Sequence, residues 1–381
     1  MTPAPRRLRL TVSATVGVVL AGAALAPCIA GARPWNADRK IVVAVEAPMS
    51  GEGAQDGLDQ LRGVQLAANQ ANADGGVLGR RVTVIRADDK GDPALALPTF
   101  RRVARARADA VIGPYNSSVG VINLPYYLRA RIVPVQMTST DATIGMGVNV
   151  QPKTYQISPV ESSFVLRAWK PLRVVVLAGS STFLAGEADG MQAALQRAGV
   201  AVTRLPVESG VADCAPLVAQ AFASHPDAIY ISTRINEGVC ITRALVQSGA
   251  GVPCLLGFAN SDPSFVQRAG TDVSRRCRFS GVPLPQAFPT ARQYVRDYRQ
   301  AFRMQPGTWG SFTYDSARIL FAAMRRAGTT AYQPVMRELR STRGFRGATG
   351  TITINSRTGD REQVAVKILS VSPAGLFTIV P

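Results

Sequence analysis

Two short runs of hydroxyl and amide residues are the strongest candidates for chemistry in this chain. They are Asn116, Ser117 and Ser118 in the first run, and Thr138, Ser139 and Thr140 in the second. Serine and threonine hydroxyls donate hydrogen bonds to carboxylates, and the free N–H groups at a helix N-terminus attract anions. Taken alone, either run is more often a helix cap, because these residue types are the preferred caps. Two such runs on neighbouring elements predict a binding site for a small carboxylate.

The elements on either side place the two runs next to each other. Apolar strands are predicted at residues 110–113 and 132–136, just before the first and second run. A helix between them ends near Arg131, and Thr140 is predicted to open another helix. In an open parallel sheet, ligands bind in the crevice beyond the carboxyl ends of the strands. We therefore expect both runs to face such a crevice.

Strands and helices alternate through most of the chain. Four strands are predicted between residues 40 and 136, and a second series begins near Leu172 with RVVVLAG, VAVTRLPV, AIYIST, VPCLLGF and CRFSGV. These strands are apolar on both faces, as a sheet covered by helices requires. Helices at residues 290–303, 311–326 and 332–341 are expected to return to the first lobe, and GTITIN with QVAVKILSV to form a hairpin on the second. The predicted fold class is α/β, with two doubly wound parallel-sheet lobes.

The two runs, together with PMSGEGA, GVQLAANQANADGGVLGRRVTVI, ADDKGDP and SGAGVPCLLG, resemble the branched-chain amino acid binding proteins of bacterial ABC transporters. The resemblance covers nearly all of the mature chain. It implies the type I periplasmic binding fold, a Venus-flytrap of two lobes joined by a hinge of three crossings. The lobes would be residues 39–156 with 284–343, and residues 158–282 with 345–381. The crossings would lie near residues 157–159, 282–285 and 343–347.

The same resemblance implies a function and partners. The chain would be the extracytoplasmic binding protein of an ABC importer, a monomer that delivers an amino acid or a related small carboxylate or amide to permease and ATPase subunits. No cofactor is expected. A sensory subunit that hands the closed state to a receptor or kinase is the alternative within binding proteins.

The resemblance also assigns ligand contacts. Ser117, Thr138 and Thr140 would hold the ligand's carboxylate and any amino group, with Asn116 and Ser139 beside them. Phe183, in the loop after the RVVVLAG strand, would supply an apolar wall from the second lobe, although ordinary loop packing explains it equally well.

At two positions the sequence departs from that family. The acidic residue that pairs with the ligand ammonium is matched by Ala259, and an aromatic residue that covers the ligand is matched by Asp56. A closed cleft without a counter-charge disfavours an ammonium by several kcal/mol. Either Asp56, Asp262 or Glu237 supplies that charge, or the ligand lacks the group. We therefore expect leucine, isoleucine and valine to bind poorly.

Residues 1–33 are predicted to be a signal peptide, because three arginines precede an apolar segment at residues 10–26 that is too short for a comfortable membrane span. The chain is thus expected in the periplasm or at the outer face of the cell membrane. Residues 25–28 resemble a lipoprotein box, which would leave a lipidated Cys28, whereas Pro27 departs from that pattern. Simple cleavage near Ala30 or Ala32 is the alternative.

Four further cysteines, Cys214, Cys240, Cys254 and Cys277, all fall in the second predicted lobe. An even number in an oxidising compartment is compatible with two disulfides, with three pairings open. Cys254 and Cys277 lie on or beside successive strands and could bridge them, which would leave Cys214 with Cys240. The spacing does not suit zinc, since no C-x-x-C is present.

The formal charge of +18 is the outlier in the composition. Its arginines are scattered over helix faces, without the interleaved aromatic residues of a single-strand binder or a zinc or basic-zipper motif. This pattern favours solvated faces over a nucleic-acid partner.

Catalytic motifs are missing from the sequence. There is no G-x-S-x-G or G-x-x-x-x-G-K-[ST] motif, and the single histidine, His225, lies in a His-Pro-Asp turn. The run from Gly51 to Gly57 approaches a dinucleotide fingerprint, but Asp56 stands where the third glycine is required. A dehydrogenase remains a remote alternative, and a binding function is favoured.

Overall fold

The computed structural model describes residues 1–4 and 39–380. The predicted signal peptide, apart from its first four residues, and Cys28 lie outside the described residues. The strands are β1 (Ile41–Ala47), β2 (Val82–Asp88), β3 (Ala110–Ile112), β4 (Val133–Gln136), β5 (Val148–Asn149), β6 (Arg173–Gly179), β7 (Ala201–Val207), β8 (Ala228–Ser232), β9 (Cys254–Leu256), β10 (Arg278–Gly281), β11 (Phe345–Gly347), β12 (Gly350–Ile352), β13 (Lys367–Val371) and β14 (Phe377–Ile379).

The helices cover both faces of the two larger sheets. They are α1 (Ala54–Ala73), α2 (Ala96–Arg105), α3 (Ser117–Arg129), α4 (Thr154–Phe164), α5 (Thr182–Arg197), α6 (Ala215–Ala223), α7 (Ile235–Gln247), α8 (Pro263–Ala269), α9 (Thr271–Ser274), α10 (Arg292–Phe302), α11 (Thr308–Ala327) and α12 (Tyr332–Arg340). Among the described residues, no helix is both long enough and apolar enough to cross a membrane.

The first lobe is built on a parallel sheet with the strand order β2-β1-β3-β4-β5. The predicted return of the C-terminal helices to this lobe is confirmed, since α11 packs along α1. The two helices approach closely at Gly63, where a Cβ atom would lie 2.0 Å from the carbonyl oxygen of Gly310. Buried Asp59 ties them together by accepting hydrogen bonds from the N–H groups of Gly307 and Gly310.

The second lobe is built on a seven-stranded sheet with the order β14-β13-β10-β9-β8-β6-β7. The five strands from β10 to β7 in this order are parallel, and β13 and β14 form antiparallel pairs at the opposite edge. Two disulfides lie in this lobe, one between Cys214 and Cys240 and one between Cys254 and Cys277. The α/β class with two covered, mainly parallel sheets is therefore confirmed.

The predicted C-terminal hairpin forms only next to its turn, where an antiparallel bridge joins Ile354 to Arg361. Its two longer strands do not pair with each other. β12, within GTITIN, pairs with β11, whereas β13, within QVAVKILSV, pairs with β10 and β14. Buried Asp315 fixes the β11–β12 turn, because its carboxylate accepts hydrogen bonds from the N–H groups of Ala348 and Thr349. The small β11–β12 sheet consequently packs with the first lobe, and its Ile352 lies in that lobe's core.

Two of the expected lobe boundaries also move. Residues 157–159, expected to form the first crossing, lie inside α4, which packs on α5 of the second lobe. The chain therefore leaves the first sheet earlier, between β5 and α4. The last crossing shifts from residues 343–347 to the segment before β13, because β11 and β12 remain with the first lobe.

Candidate functional site

A cleft between the two lobes contains three adjoining cavities. The first has a volume of about 180 Å³ and the second about 110 Å³. Both are lined by Tyr115, Asn116, Arg234, Phe258, Ala259 and Trp309. We call these two cavities the central chamber. Residues of both lobes form its walls, so a molecule held there would contact both.

The first wall contains the two polar runs of the first lobe. β3 and β4 are parallel neighbours, and the runs follow their carboxyl ends as predicted. Ser117, the first residue of α3, and Ser139, in the second run, both line the chamber. The N–H group of Thr140 donates a 3.3 Å hydrogen bond to Ser117 Oγ, which brings the two loops together. Because Ser117 Oγ accepts from Thr140 N, its own O–H stays free to donate to an oxygen of a small carboxylate in the chamber.

The helix expected after Thr140 is shorter than predicted. Only a single 3-10 turn, Asp141–Thr143, follows, and the Thr140 hydroxyl accepts a hydrogen bond from Ala142 N. A helix dipole from this side is therefore small, because the dipole effect depends on a run of aligned peptide units. The 13-residue helix α3 supplies the main positive helix end at the first wall.

Thr138 supports the first wall from inside the lobe. Its hydroxyl is fully buried and lies 2.5 Å from Gln136 Oε1 and 3.3 Å from Lys153 Nζ. This side chain does not line the chamber. Lys153, which the sequence reasoning missed, also donates to Thr140 O and to Thr143 Oγ1 at 2.6 Å. Burial lowers the pKa of Lys153 to about 8, opposed by the attraction of nearby carboxylates.

Aromatic rings cover both sides of the chamber. The centroid of Trp309 in α11 lies 5.7 Å from that of Tyr115 and 5.8 Å from that of Phe258 in the second lobe. Phe258 in turn lies 6.4 Å from Phe183, the apolar residue expected from sequence. Of these four aromatic residues, only Phe183 was expected from the sequence; Tyr115, Phe258 and Trp309 were not. Such rings favour a ligand with a flat or apolar body.

Ala259 lines the chamber at the position where the resemblance places an acidic residue. Asp56 and Asp262 line the same space. The pKa of Asp56 is raised well above its usual value by burial and by the charges of Asp262 and Asp59. Tyr115 OH lies 3.5 Å from Asp56 Oδ2, and Asp262 caps α8. A bound cation near both carboxylates would relieve their repulsion.

The second wall is held in place by a buried pair of acids. Glu187 accepts a 2.7 Å hydrogen bond from Phe258 N and lies 2.5 Å from Ser232 Oγ. Glu161 accepts a 2.8 Å hydrogen bond from Tyr230 OH. Burial raises the pKa of both carboxyls. The charge of Glu187 raises the pKa of Glu161 further, whereas the hydrogen bond between the two opposes the rise for Glu187. Phe258 is thus positioned through its backbone rather than by its ring alone.

At the mouth of the cleft, polar groups connect the lobes. Glu52 of the first lobe accepts a 2.5 Å hydrogen bond from Asn236 Nδ2 and lies 3.9 Å from Arg234 Nη1. These side chains are exposed, so each contact contributes little. Direct contacts thus join the two lobes across the cleft.

The amino-acid sequence matches known proteins over most of its length. Residues 40–371 match the family model described as "Periplasmic binding protein". The amino acid binding protein of Pseudomonas aeruginosa is 26% identical over 76% of this chain and 79% of its own. The Leu/Ile/Val-binding protein BraC3 of Rhizobium johnstonii is 24% identical, over 92% of this chain and 95% of its own.

A solved structure shares the fold. The leucine-binding protein LivK of Thermotoga maritima superimposes with a TM-score of 0.82 at 24% identity, covering 90% of this chain and 98% of that one. The family match extends over most of the sequence and includes both lobes and the cleft between them. The chain therefore belongs to the periplasmic binding protein family.

Proposed function

We propose that the protein is the extracytoplasmic binding component of an ABC importer, and that it captures a small carboxylate, amino acid or amide in the central chamber. The observation that carries the proposal is the contact between the two polar loops, at Ser117 Oγ and Thr140 N. That contact orients the Ser117 hydroxyl, which lines the chamber and can donate its proton to a carboxylate. A hydrogen bond to a charged group contributes about 1.5 to 3 kcal/mol.

The opposite wall supports a ligand other than the aliphatic branched-chain amino acids. Ala259 carries no charge for an ammonium group, and the rings of Phe183, Phe258 and Trp309 provide flat apolar surfaces. Asp56 and Asp262 are the counter-charges available within the chamber. We infer that a more polar amino acid, an amide or an aromatic carboxylate binds better than leucine.

Thermal unfolding with a ligand panel tests this function. The panel contains leucine, isoleucine, valine, glutamine, asparagine and benzoate. A ligand present at about a hundred times its dissociation constant adds about 2.7 kcal/mol of stability, which moves the melting temperature clearly. We expect a panel member outside the branched-chain group to stabilise most. Stabilisation by leucine alone would contradict the proposed ligand class, and no stabilisation by any carboxylate or amino acid would contradict the site.

Delivery to a permease requires a test in cells. Deleting the gene should abolish uptake of the radiolabelled panel compound that stabilises the protein most, and reintroducing it should restore uptake. A sensory protein would leave uptake intact and change the response to the compound instead.

A further inference from the structure

A third cavity opens from the cleft next to the central chamber. Its volume is about 280 Å³. It lies where β6, β7 and β8, three adjacent strands, reach their carboxyl ends. Its polar lining from the second lobe consists of Arg234 and of Ser180, Ser181, Thr182, Ser209, Thr233 and Glu237. We call this cavity the side chamber.

Two buried oxygens in the side chamber have no hydrogen-bond partner within the described part of the chain. They are Glu237 Oε2 and Thr233 Oγ1, on side chains that are 5% and 1% exposed. The other carboxylate oxygen, Glu237 Oε1, accepts a 2.8 Å hydrogen bond from Gly210 N. Leaving a buried acceptor unpaired is costly, and the cost is greater when the group is charged. Both oxygens therefore favour an incoming donor.

We propose that the side chamber binds a primary ammonium group, with Glu237 Oε2 and Thr233 Oγ1 as two of its acceptors. An ammonium has three N–H donors and the charge that a buried carboxylate requires. The neighbouring serine hydroxyls offer further acceptors. Arg234 lines the same cavity but is exposed at its rim, where its guanidinium lies 3.9 Å from Glu52.

Other occupants fit the chamber less well. An anion would be repelled by Glu237. A calcium or magnesium ion prefers several oxygen ligands including more than one carboxylate, and the described residues contain no group of three acidic, histidine or cysteine side chains able to hold a metal. The amino ends of α5 and α7 lie at this cavity and disfavour a cation. The unpaired oxygen of a buried carboxylate favours a cation more strongly, because leaving it without a donor is costly.

The side chamber extends the proposed function by defining a substrate class. It shares Ser181, Leu184 and Arg234 with the smaller part of the central chamber. A molecule that spans both would carry a carboxylate at Ser117 and a primary amine at Glu237. We therefore infer that the ligands of this protein are carboxylates with a remote amino group. The position of the carboxylate rests on the proposed function, whereas the position of the amino group does not.

Binding of n-butylammonium to the purified protein tests the ammonium site without any carboxylate. Tetramethylammonium, which has the charge but no N–H donor, and butanol, which lacks the charge, are the chemical controls. Titrations followed by calorimetry or ligand-observed NMR should show n-butylammonium binding at least about tenfold more tightly than either control. Glu237→Gln, which retains the acceptor for Gly210 N, should weaken it about tenfold or more. Thr233→Val should weaken it less.

Glu362→Gln, at an exposed position, is the matched control and should bind n-butylammonium like the unaltered protein. Asp56→Asn distinguishes the two chambers, because Asp56 is a carboxylate of the central chamber that could hold the ammonium instead. Three results would overturn the side-chamber site: no binding to the unaltered protein, equal binding to Glu237→Gln, or loss of binding in Asp56→Asn. The last would place the ammonium in the central chamber. None of these outcomes affects the carboxylate contacts of Ser117, which are tested separately.

Discussion

The two walls of the cleft are built in different ways. The first wall presents the Ser117 hydroxyl, which is held by Thr140 N and by a buried polar network that includes Lys153. The second wall presents the rings of Phe183 and Phe258, together with Ala259. Behind it, Glu187 holds the backbone of Phe258. The first wall is thus suited to a group that all carboxylate ligands share, and the second to the part of the ligand that differs.

Helix α3, which begins at Ser117, also has a buried acid beneath it. Glu46 in β1 accepts a 2.6 Å hydrogen bond from Tyr127 OH and also contacts Asn123 in α3. Burial raises its pKa to about 8. In both walls a buried carboxyl holds a segment that lines the chamber in place. The side chains that the two walls present to a ligand nevertheless differ. Changes behind the first wall should reduce stability, and changes on the second should alter selectivity.

The largest effect is expected for the pH dependence of stability. Glu46 has a pKa of about 8 in the folded protein and titrates near 4.5 without burial, so the folded state holds its proton more tightly. The free energy of unfolding should fall as pH rises from about 4.5 to about 8, by on the order of 4 kcal/mol from this group. Glu46→Gln should flatten that part of the urea-denaturation profile.

Exposed Glu362 provides the matched control for this measurement. Glu362→Gln should reproduce the pH profile of the unaltered protein, to which the other buried acids also contribute. Equal slopes for Glu46→Gln and the unaltered protein would show that Glu46 is ionised in the fold.

A somewhat smaller effect is expected for Lys153→Met. This change removes hydrogen bonds to Gln136 Oε1, Thr140 O and Thr143 Oγ1 and leaves these buried oxygens with fewer donors. We expect the free energy of unfolding to fall by about 3 kcal/mol. Lys367→Met, at an exposed strand position, should change it by less than about 0.5 kcal/mol. Similar stability of the two variants would show that the network does not hold the first wall.

The smallest effect concerns selectivity at the second wall. Ala259→Glu places a carboxylate in the central chamber, where the family resemblance expects one. Leucine affinity should then rise about tenfold, since an added charged hydrogen bond contributes about 1.5 kcal/mol or more. Ala259→Gln, with the same shape and no charge, should give a smaller gain by calorimetry. If neither variant improves leucine binding, Ala259 does not determine the ligand class.

Much of the fold follows from local sequence patterns. The alternating strands and helices were predictable because apolar strands covered on both faces have a distinct composition. The β11–β12 pairing was not, because it depends on buried Asp315 in α11, far away along the sequence. The boundary at α4 was misplaced because the resemblance put a crossing at residues 157–159, whereas these residues lie inside the helix.

The site was predictable in part for similar reasons. Ser117 and Thr140 could be predicted as site residues from their residue types and from their positions after two strands. Trp309 and Phe258 could not, because the sequence around them has the pattern of a segment buried in the hydrophobic core. The burial of the Thr138 side chain inside the lobe could have been predicted from its position in the sequence. Thr138 follows Gln136 by two residues, and such residues share one side of an extended chain. Both side chains point to Lys153.

Calorimetric titration of Ser117→Ala measures the central claim most directly. The titrant is the panel compound that stabilises the unaltered protein most, and Ser356→Ala, at an exposed turn, is the matched hydroxyl control. Loss of the Ser117 hydroxyl should weaken binding about tenfold to a hundredfold. Thr140→Val removes the acceptor for Ala142 N and so loosens the turn that holds Thr140 N against Ser117 Oγ, and it should weaken binding less. The control should bind like the unaltered protein. Unchanged affinity in both Ser117→Ala and Thr140→Val would contradict carboxylate recognition by the two polar loops.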